Sequence, residues 1–180
     1  MANAMAKFSR AYWTAILRES AMIFLTVGTQ LPFDRFVEII DSWAATNPNI
    51  EIFAQIGEGQ YQPKHMQYCS FLDEAAYKQE FDKASLVLAH AAMGSIITSL
   101  IASKPVIVFP RIAALGEHRN EHQLATCRNF ESLDGCYVTY DKSQLLSTLD
   151  DVTCLKGGSL GLYANPDLLN CIDNFISAAG

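Results

Sequence analysis

Between Ser85 and Phe109 the chain passes from one apolar run, through a small-residue turn and a helical stripe, into a second apolar run. Leu86-Val87-Leu88-Ala89 is short and continuously apolar, the pattern of a strand covered on both faces. His90-Ala91-Ala92-Met93-Gly94-Ser95 forms the turn. Ile96, Ile97, Leu100 and Ile101 then share one helical stripe. Lys104-Pro105 stops the helix, and Val106–Phe109 reads as a second buried strand. Strand, helix and strand at this spacing make a parallel, right-handed βαβ unit. Its turn therefore lies at the carboxyl end of the sheet, where open α/β sheets bind ligands. The backbone N–H groups of Gly94, Ser95 and Ile96 are predicted to be unpaired donors at the helix start, a place for phosphate.

Hydropathy alone would allow Ala84–Ser103 to be a weak membrane span. His90, Gly94, the hydroxyl residues and the prompt Lys104-Pro105 argue against one. After Pro110 comes Arg111-Ile-Ala-Ala-Leu-Gly-Glu-His-Arg-Asn-Glu-His-Gln123, which sets several titratable groups at the same sheet edge. Three readings stand side by side. His118-x-x-Glu121-His122 matches a zinc-binding H-x-x-E-H pattern, although no downstream residue offers an obvious further ligand. Glu117, His118, His122 and Gln123 also fit a polar rim that hydrogen-bonds a sugar. Alternatively, Glu117 and Glu121 are favourable charges at a solvated helix start.

The rest of the chain frames this stretch. Its 180 residues suit a single domain with a substantial core. A net charge of -6 and a pI near 5.1 disfavour nucleic acid as a partner. Cys69, Cys127, Cys136, Cys154 and Cys171 are odd in number and lack a C-x-x-C pair, so they read as free or buried thiols in a reducing compartment. Residues 1–21 are expected to lie outside a domain spanning 22–180, and Arg18-Glu19 cuts their apolar run too short for a signal peptide.

Ile23–Val27 is predicted as a strand, with Gly28-Thr29-Gln30 as its turn. Phe33, Phe36, Val37, Ile40 and Trp43 form the stripe of the next helix. Ile50–Ile56 is a strand, and residues 57–63 a flexible loop with one G-x-G, too little for a dinucleotide fingerprint. A short strand at 66–71 precedes a helix over 73–83 with Ala76, Tyr77 and Phe81 on one side. A helix ending near Phe130, a strand over 136–139 and a helix capped by Asp141 follow. Thr153–Ala164 is a loop, and Asn165-Pro166 opens a last helix carrying Leu168, Leu169, Ile172, Phe175 and Ile176 on one face. The expected fold is α/β: a mostly parallel, Rossmann-like sheet of about six strands with helices on both faces.

H-A-A-M-G-S-I-I, K-P-V-I-V-F-P-R and G-E-H-R-N-E-H-Q, with I-F-L-T-V-G-T-Q-L-P-F-D-R-F at 23–36, resemble the C-terminal, donor-binding domain of family 28 glycosyltransferases. The closer resemblance is to small catalytic subunits of two-component transferases, those of N-glycan assembly and of bacterial exopolysaccharide synthesis. Ala92 stands where the family usually has Gly, and Thr98 where relatives often carry a ribose-holding Glu.

The resemblance implies one half of a GT-B glycosyltransferase, needing no metal or other cofactor. Its implied reaction moves a sugar from a UDP-sugar to a lipid-linked acceptor at the cytoplasmic face of the membrane, with a membrane-anchored partner subunit holding the acceptor. It also implies that Gly28, Thr29, His90, Ala91, Ala92, Met93, Gly94, Ser95 and Arg111 surround the diphosphate. Phe71, with Ser70 and Leu72, is placed near the uracil. Glu117, His118, His122 and Gln123 are implied to orient the sugar, with Glu117 and His118 as catalytic candidates and His118 as the local candidate base. A nucleotide-sugar-binding module without catalysis is the alternative that Ala92 and Thr98 motivate.

Overall fold

The computed structural model of the protein describes residues 22–161. The 1–21 leader, the helix expected from Asn165 and Cys171 lie outside the described residues. Six strands form one sheet in the order β3-β2-β1-β4-β5-β6, and every neighbouring pair is parallel. They are β1 (Met22–Thr26), β2 (Glu51–Gln55), β3 (Gln67–Cys69), β4 (Leu86–His90), β5 (Val106–Phe109) and β6 (Cys136–Val138). The helices are α1 (Asp34–Thr46), α2 (Glu74–Lys83), α3 (Met93–Ile101), α4 (His122–Phe130) and α5 (Lys142–Asp150), with a single 3-10 turn at Ala113–Leu115 before α4.

The apolar strand runs work because both faces are covered. Successive side chains alternate across the sheet. Ile23, Leu25, Val27, Leu86, Leu88, Ile107 and Phe109 meet Phe33, Phe36, Ile40 and Trp43 from α1, with Leu145 and Leu149 from α5. Met22, Phe24, Val87, Ala89, Val106 and Val108 meet Phe81 from α2, Ile96 and Leu100 from α3, and Cys127 from α4. Fully burying each large side chain contributes roughly 1.5–3 kcal/mol. Right-handed crossovers account for the split. The chain steps from β1 to β2 over one face, and from β4 to β5 over the other.

Two expected elements change in detail. The buried stripe of α3 is Ile96, Ser99 and Leu100, whereas Ile101 is 40 % exposed. The Ser99 hydroxyl donates to the Ser95 carbonyl at 2.8 Å, which lets a polar residue sit in that seam. The connection over 56–66 is fastened rather than loose. Asp34 accepts from Gln60 N (3.1 Å) and Tyr61 N (3.2 Å). Asp41 is buried in mid-helix, where it accepts from the Tyr61 hydroxyl (2.8 Å), Lys64 N (3.0 Å) and His65 N (2.7 Å). Burial alone would raise the Asp41 pKa, but these donors outweigh it and hold the carboxyl below its ordinary value.

Strand order reverses between β1 and β4, so the turns after these strands diverge and open a crevice at the carboxyl edge. Among the described residues, no helix is long and apolar enough to cross a membrane.

Candidate functional site

A cavity of about 290 Å³ occupies this crevice. The turn after β1 supplies Gly28, Thr29 and Gln30, and the end of β4 supplies His90, Ala91 and Ala92. Arg111 comes from just beyond β5, and His118, His122 and Gln123 from the approach to α4.

Gly28 has φ +77, a left-handed conformation that favours glycine, and it lies flat against His90. A Cβ at position 28 would sit 2.6 Å from His90 Cε1. His90 itself is only 9 % exposed. Burial first, and the nearby Arg111 charge second, push its pKa down to about 4. The ring is therefore neutral at neutral pH and acts as a hydrogen-bonding group rather than a cation. Its Nδ1 has no protein partner.

Arg111 is 2 % exposed. Its Nη2 donates to the Val27 carbonyl at 2.9 Å and also to the Leu31 carbonyl, so it ties the β1–α1 turn to β5. The guanidinium packs over the Phe33 ring, 5.1 Å from its centroid. Burial lowers its pKa to about 10, against the pull of Glu117, and the group remains a cation. Its Nε, like His90 Nδ1, is buried without a partner. Buried polar atoms are almost always paired. Both residues line the same cavity, and no protein group there satisfies these two buried atoms.

The first turn of α3 adds donors. Ile96 N bonds the Ala92 carbonyl at 3.3 Å, so the predicted set shifts by one residue to Met93, Gly94 and Ser95. Nothing lies within 4 Å of where a Gly94 Cβ would be, leaving that backbone open to close approach. Met93, Gly94 and Ser95 stand beside the cavity wall in sequence but do not line it. Burial raises the pKa of the Tyr77 hydroxyl, and the nearby Ser95 and Thr26 side chains lower it in part.

The rim differs from the sequence-based expectation. Glu117 does not line the cavity. Its carboxylate takes Arg35 Nε at 2.6 Å and Arg35 Nη2 at 2.8 Å, and accepts from Ile112 N at 2.8 Å. Its expected sugar contact and catalytic role therefore stand as an expectation, with both oxygens engaged by protein groups.

His118 Nδ1 accepts from Arg119 N at 2.8 Å, so the neutral ring carries its proton on Nε2. That tautomer presents Nε2–H as a donor. Burial and then the neighbouring His122, Arg111 and Arg119 hold its pKa below the ordinary value. In His122, Nδ1 bonds Asn120 Oδ1, an oxygen fixed as acceptor by the His122 backbone N–H at 3.2 Å. His122 therefore keeps its lone pair on Nε2. The two rings meet edge to face, 4.3 Å between centroids. Gln123 Oε1 accepts from Arg111 N at 2.9 Å, leaving the Gln123 amide nitrogen as a donor in the cavity wall.

The zinc pattern does not form. H-x-x-E-H needs both histidines on one helix, yet α4 starts at His122 and His118 precedes it in the loop. Glu121 is bound to Ala113 N at 3.1 Å. Among the described residues, no group of three or more His, Cys, Asp or Glu side chains is placed to hold a metal.

Phe71 follows β3 at the same carboxyl edge, 45 % exposed and outside the cavity. Sequence reasoning missed Gln30, Arg35 and Gln55. Gln55 is buried, with Nε2 3.5 Å from the Gly28 carbonyl and Oε1 accepting from Leu72 N at 3.1 Å. Its one visible signal was an amide following the apolar run Ile52-Phe53-Ala54.

No curated protein matches the chain. Among solved structures, the glycotransferase of kitacinnamycin is similar with a TM-score of 0.57 at 17% identity, over 75% of this chain and 35% of that one. MurG of Acinetobacter baumannii gives a TM-score of 0.52 at 18% identity, over 75% of this chain and 43% of that one. The chain thus spans less than half the length of these two proteins, as one half of a GT-B glycosyltransferase fold. ALG13, solved by NMR, matches at TM-score 0.56 and 17% identity over 87% of this chain and 96% of its own. The family description Glycosyltransferase family 28 C-terminal domain covers residues 22–154. Most of its length being matched in this way, the chain belongs to the glycosyltransferase family 28 C-terminal domain family.

Proposed function

We propose that the chain is the donor-binding subunit of a glycosyltransferase that moves a sugar from a UDP-sugar to a lipid-linked acceptor. The observation that carries this reading is the pair of buried, unpartnered atoms, His90 Nδ1 and Arg111 Nε, in one cavity at the strand-order switch. A diphosphate supplies oxygens for both. The first-turn N–H groups of α3 add a positive helix end.

In the reaction, the acceptor hydroxyl attacks the anomeric carbon as the bond from that carbon to the UDP oxygen breaks. Negative charge grows on the departing diphosphate. Arg111, the neutral His90 and the N–H groups of Met93, Gly94 and Ser95 stabilise it there. Gly28 and Thr29 close one side, and Ala91 and Ala92 the other.

A sugar presents both donors and acceptors, and the rim matches that mixture. His118 Nε2–H and the Gln123 amide donate, while the His122 Nε2 lone pair accepts. With His118 held as a donor, the base that takes the acceptor's proton belongs to the partner. Phe71 offers an exposed ring for the uracil. The resemblance to two-component transferases supports the reading that a membrane-anchored partner binds the acceptor and that the subunit works at the cytoplasmic membrane face.

Isothermal titration of the purified chain with UDP, UDP-sugars and ADP tests the donor site. UDP is expected to bind and ADP to bind more weakly, with His90→Ala lowering UDP affinity about tenfold, the value of one buried hydrogen bond to a charged group. Equal affinity for ADP and UDP, or no uridine nucleotide binding with or without a partner, would overturn the proposal.

A further inference from the structure

We propose that Arg35 and Glu117 are positioning residues whose ion pair holds the 110–123 segment in the shape that makes one wall of the cavity. The pair joins the first turn of α1 to a loop 82 positions away. Its geometry is bidentate, the strong form of an arginine–carboxylate contact. Arg35 Nη2 also donates to the Pro110 carbonyl at 3.1 Å, and its guanidinium lies over the Phe109 ring, 4.4 Å from the centroid. One side chain thus grips the loop where it leaves β5 and again at Glu117.

Glu117 in turn closes the loop on itself. Its Oε2 accepts from Ile112 N, while Glu117 N donates to the Ile112 carbonyl at 3.3 Å. Gly116, at φ +74, provides the left-handed step that returns the chain to Ile112. The next residues are His118, His122 and Gln123, and Arg111 immediately precedes Ile112. Every cavity group contributed after β5 is therefore attached to a loop whose shape depends on this pair. Of the other ion pairs among the described residues, two lie within α2 and the third joins His65 to Asp41, away from the cavity. Neither Arg35 nor Glu117 lines the cavity, so they act through the loop and not on the ligand.

Amide hydrogen exchange in Arg35→Ala, Glu117→Ala and the double variant tests this directly. Expected is about tenfold faster exchange across residues 112–117 in each single variant, the factor from losing a charge-assisted bond. The double variant should be no faster than the faster single, with amides of β1 and β4 unchanged. Arg35→Lys, which keeps the charge but not the fork, should restore part of the protection. Unchanged exchange at 112–117, or equal acceleration throughout the sheet, would overturn the inference. UDP affinity, expected to fall about tenfold in both single variants by the same bond, supplies a second readout. Only that affinity arm rests on the donor-site reading. A wild-type chain that fails to bind UDP would sink the donor site and leave the exchange result to decide the role of the pair.

Discussion

Two long irregular connections are both fastened to α1, and they are fastened differently. Residues 56–66, between β2 and β3, are tied by Asp34 and Asp41, which accept backbone N–H groups and the Tyr61 hydroxyl. Residues 110–121, between β5 and α4, are tied by Arg35 and by their own Glu117 and Glu121. In the first connection the acids meet donors that belong to the fold. In the second, the fastenings leave Arg111 Nε buried without a partner, as His90 Nδ1 is, and both residues line the cavity. Internal satisfaction marks scaffold, and surplus polarity marks a site.

The largest expected effect breaks the scaffold side. Asp41→Ala removes one carboxylate from three donors, and unpaired buried groups of this kind cost about 3 kcal/mol or more. A denaturant midpoint measures that loss, with UDP affinity of the folded fraction unchanged. Altered affinity at saturating stability would merge the two connections into one functional unit.

A slightly smaller effect is read on acidification. Unfolded His90 takes up a proton near its ordinary 6.5, whereas the folded ring holds off until about 4. Stability is therefore fully present above 6.5 and falls as pH drops through that window, by about 3 kcal/mol. His90→Asn should flatten this part of the pH–stability curve. Parallel curves for variant and parent would show that His90 is not held neutral by the fold.

The smallest effect sharpens the site side. Gly28→Ala forces a Cβ into a left-handed residue and against His90, at a cost of roughly 1–2 kcal/mol from the backbone alone. Its UDP affinity should fall by more than its stability. Loss of stability with full affinity would place Gly28 with the scaffold.

The sheet was legible in the sequence because each central strand is an unbroken apolar run and each helix a stripe. The cavity's position followed from the βαβ unit at 86–109, as did His90 at its mouth. The contacts that correct the site were not legible. Glu117 meets Arg35 across 82 positions, and no local pattern carries that pairing. The spacing of His118 and His122 matches a helical motif, but the local hydrogen bonds of Asn120 and Arg119 start the helix at His122 instead. Asp41 looks like a helix-surface acid until the 56–66 connection folds over it. Two of its partners are main-chain groups, which every sequence has, and the third is the hydroxyl of Tyr61, 20 positions away.

The all-parallel pairing also governs how the chain assembles itself. No two strands can zip from a shared hairpin, so each pairing waits for an intervening stretch to come into place. β1 is the extreme case: Ile23 lies beside Leu86, and the space on that side of β1 stays empty until α1, β2, β3 and α2 have been passed. The crevice between β1 and β4 thus cannot take form on a growing chain before β4 has been made. Until then, a strand buried along its whole length in the folded protein has one bare edge, the kind of surface that chaperones and unwanted neighbours recognise.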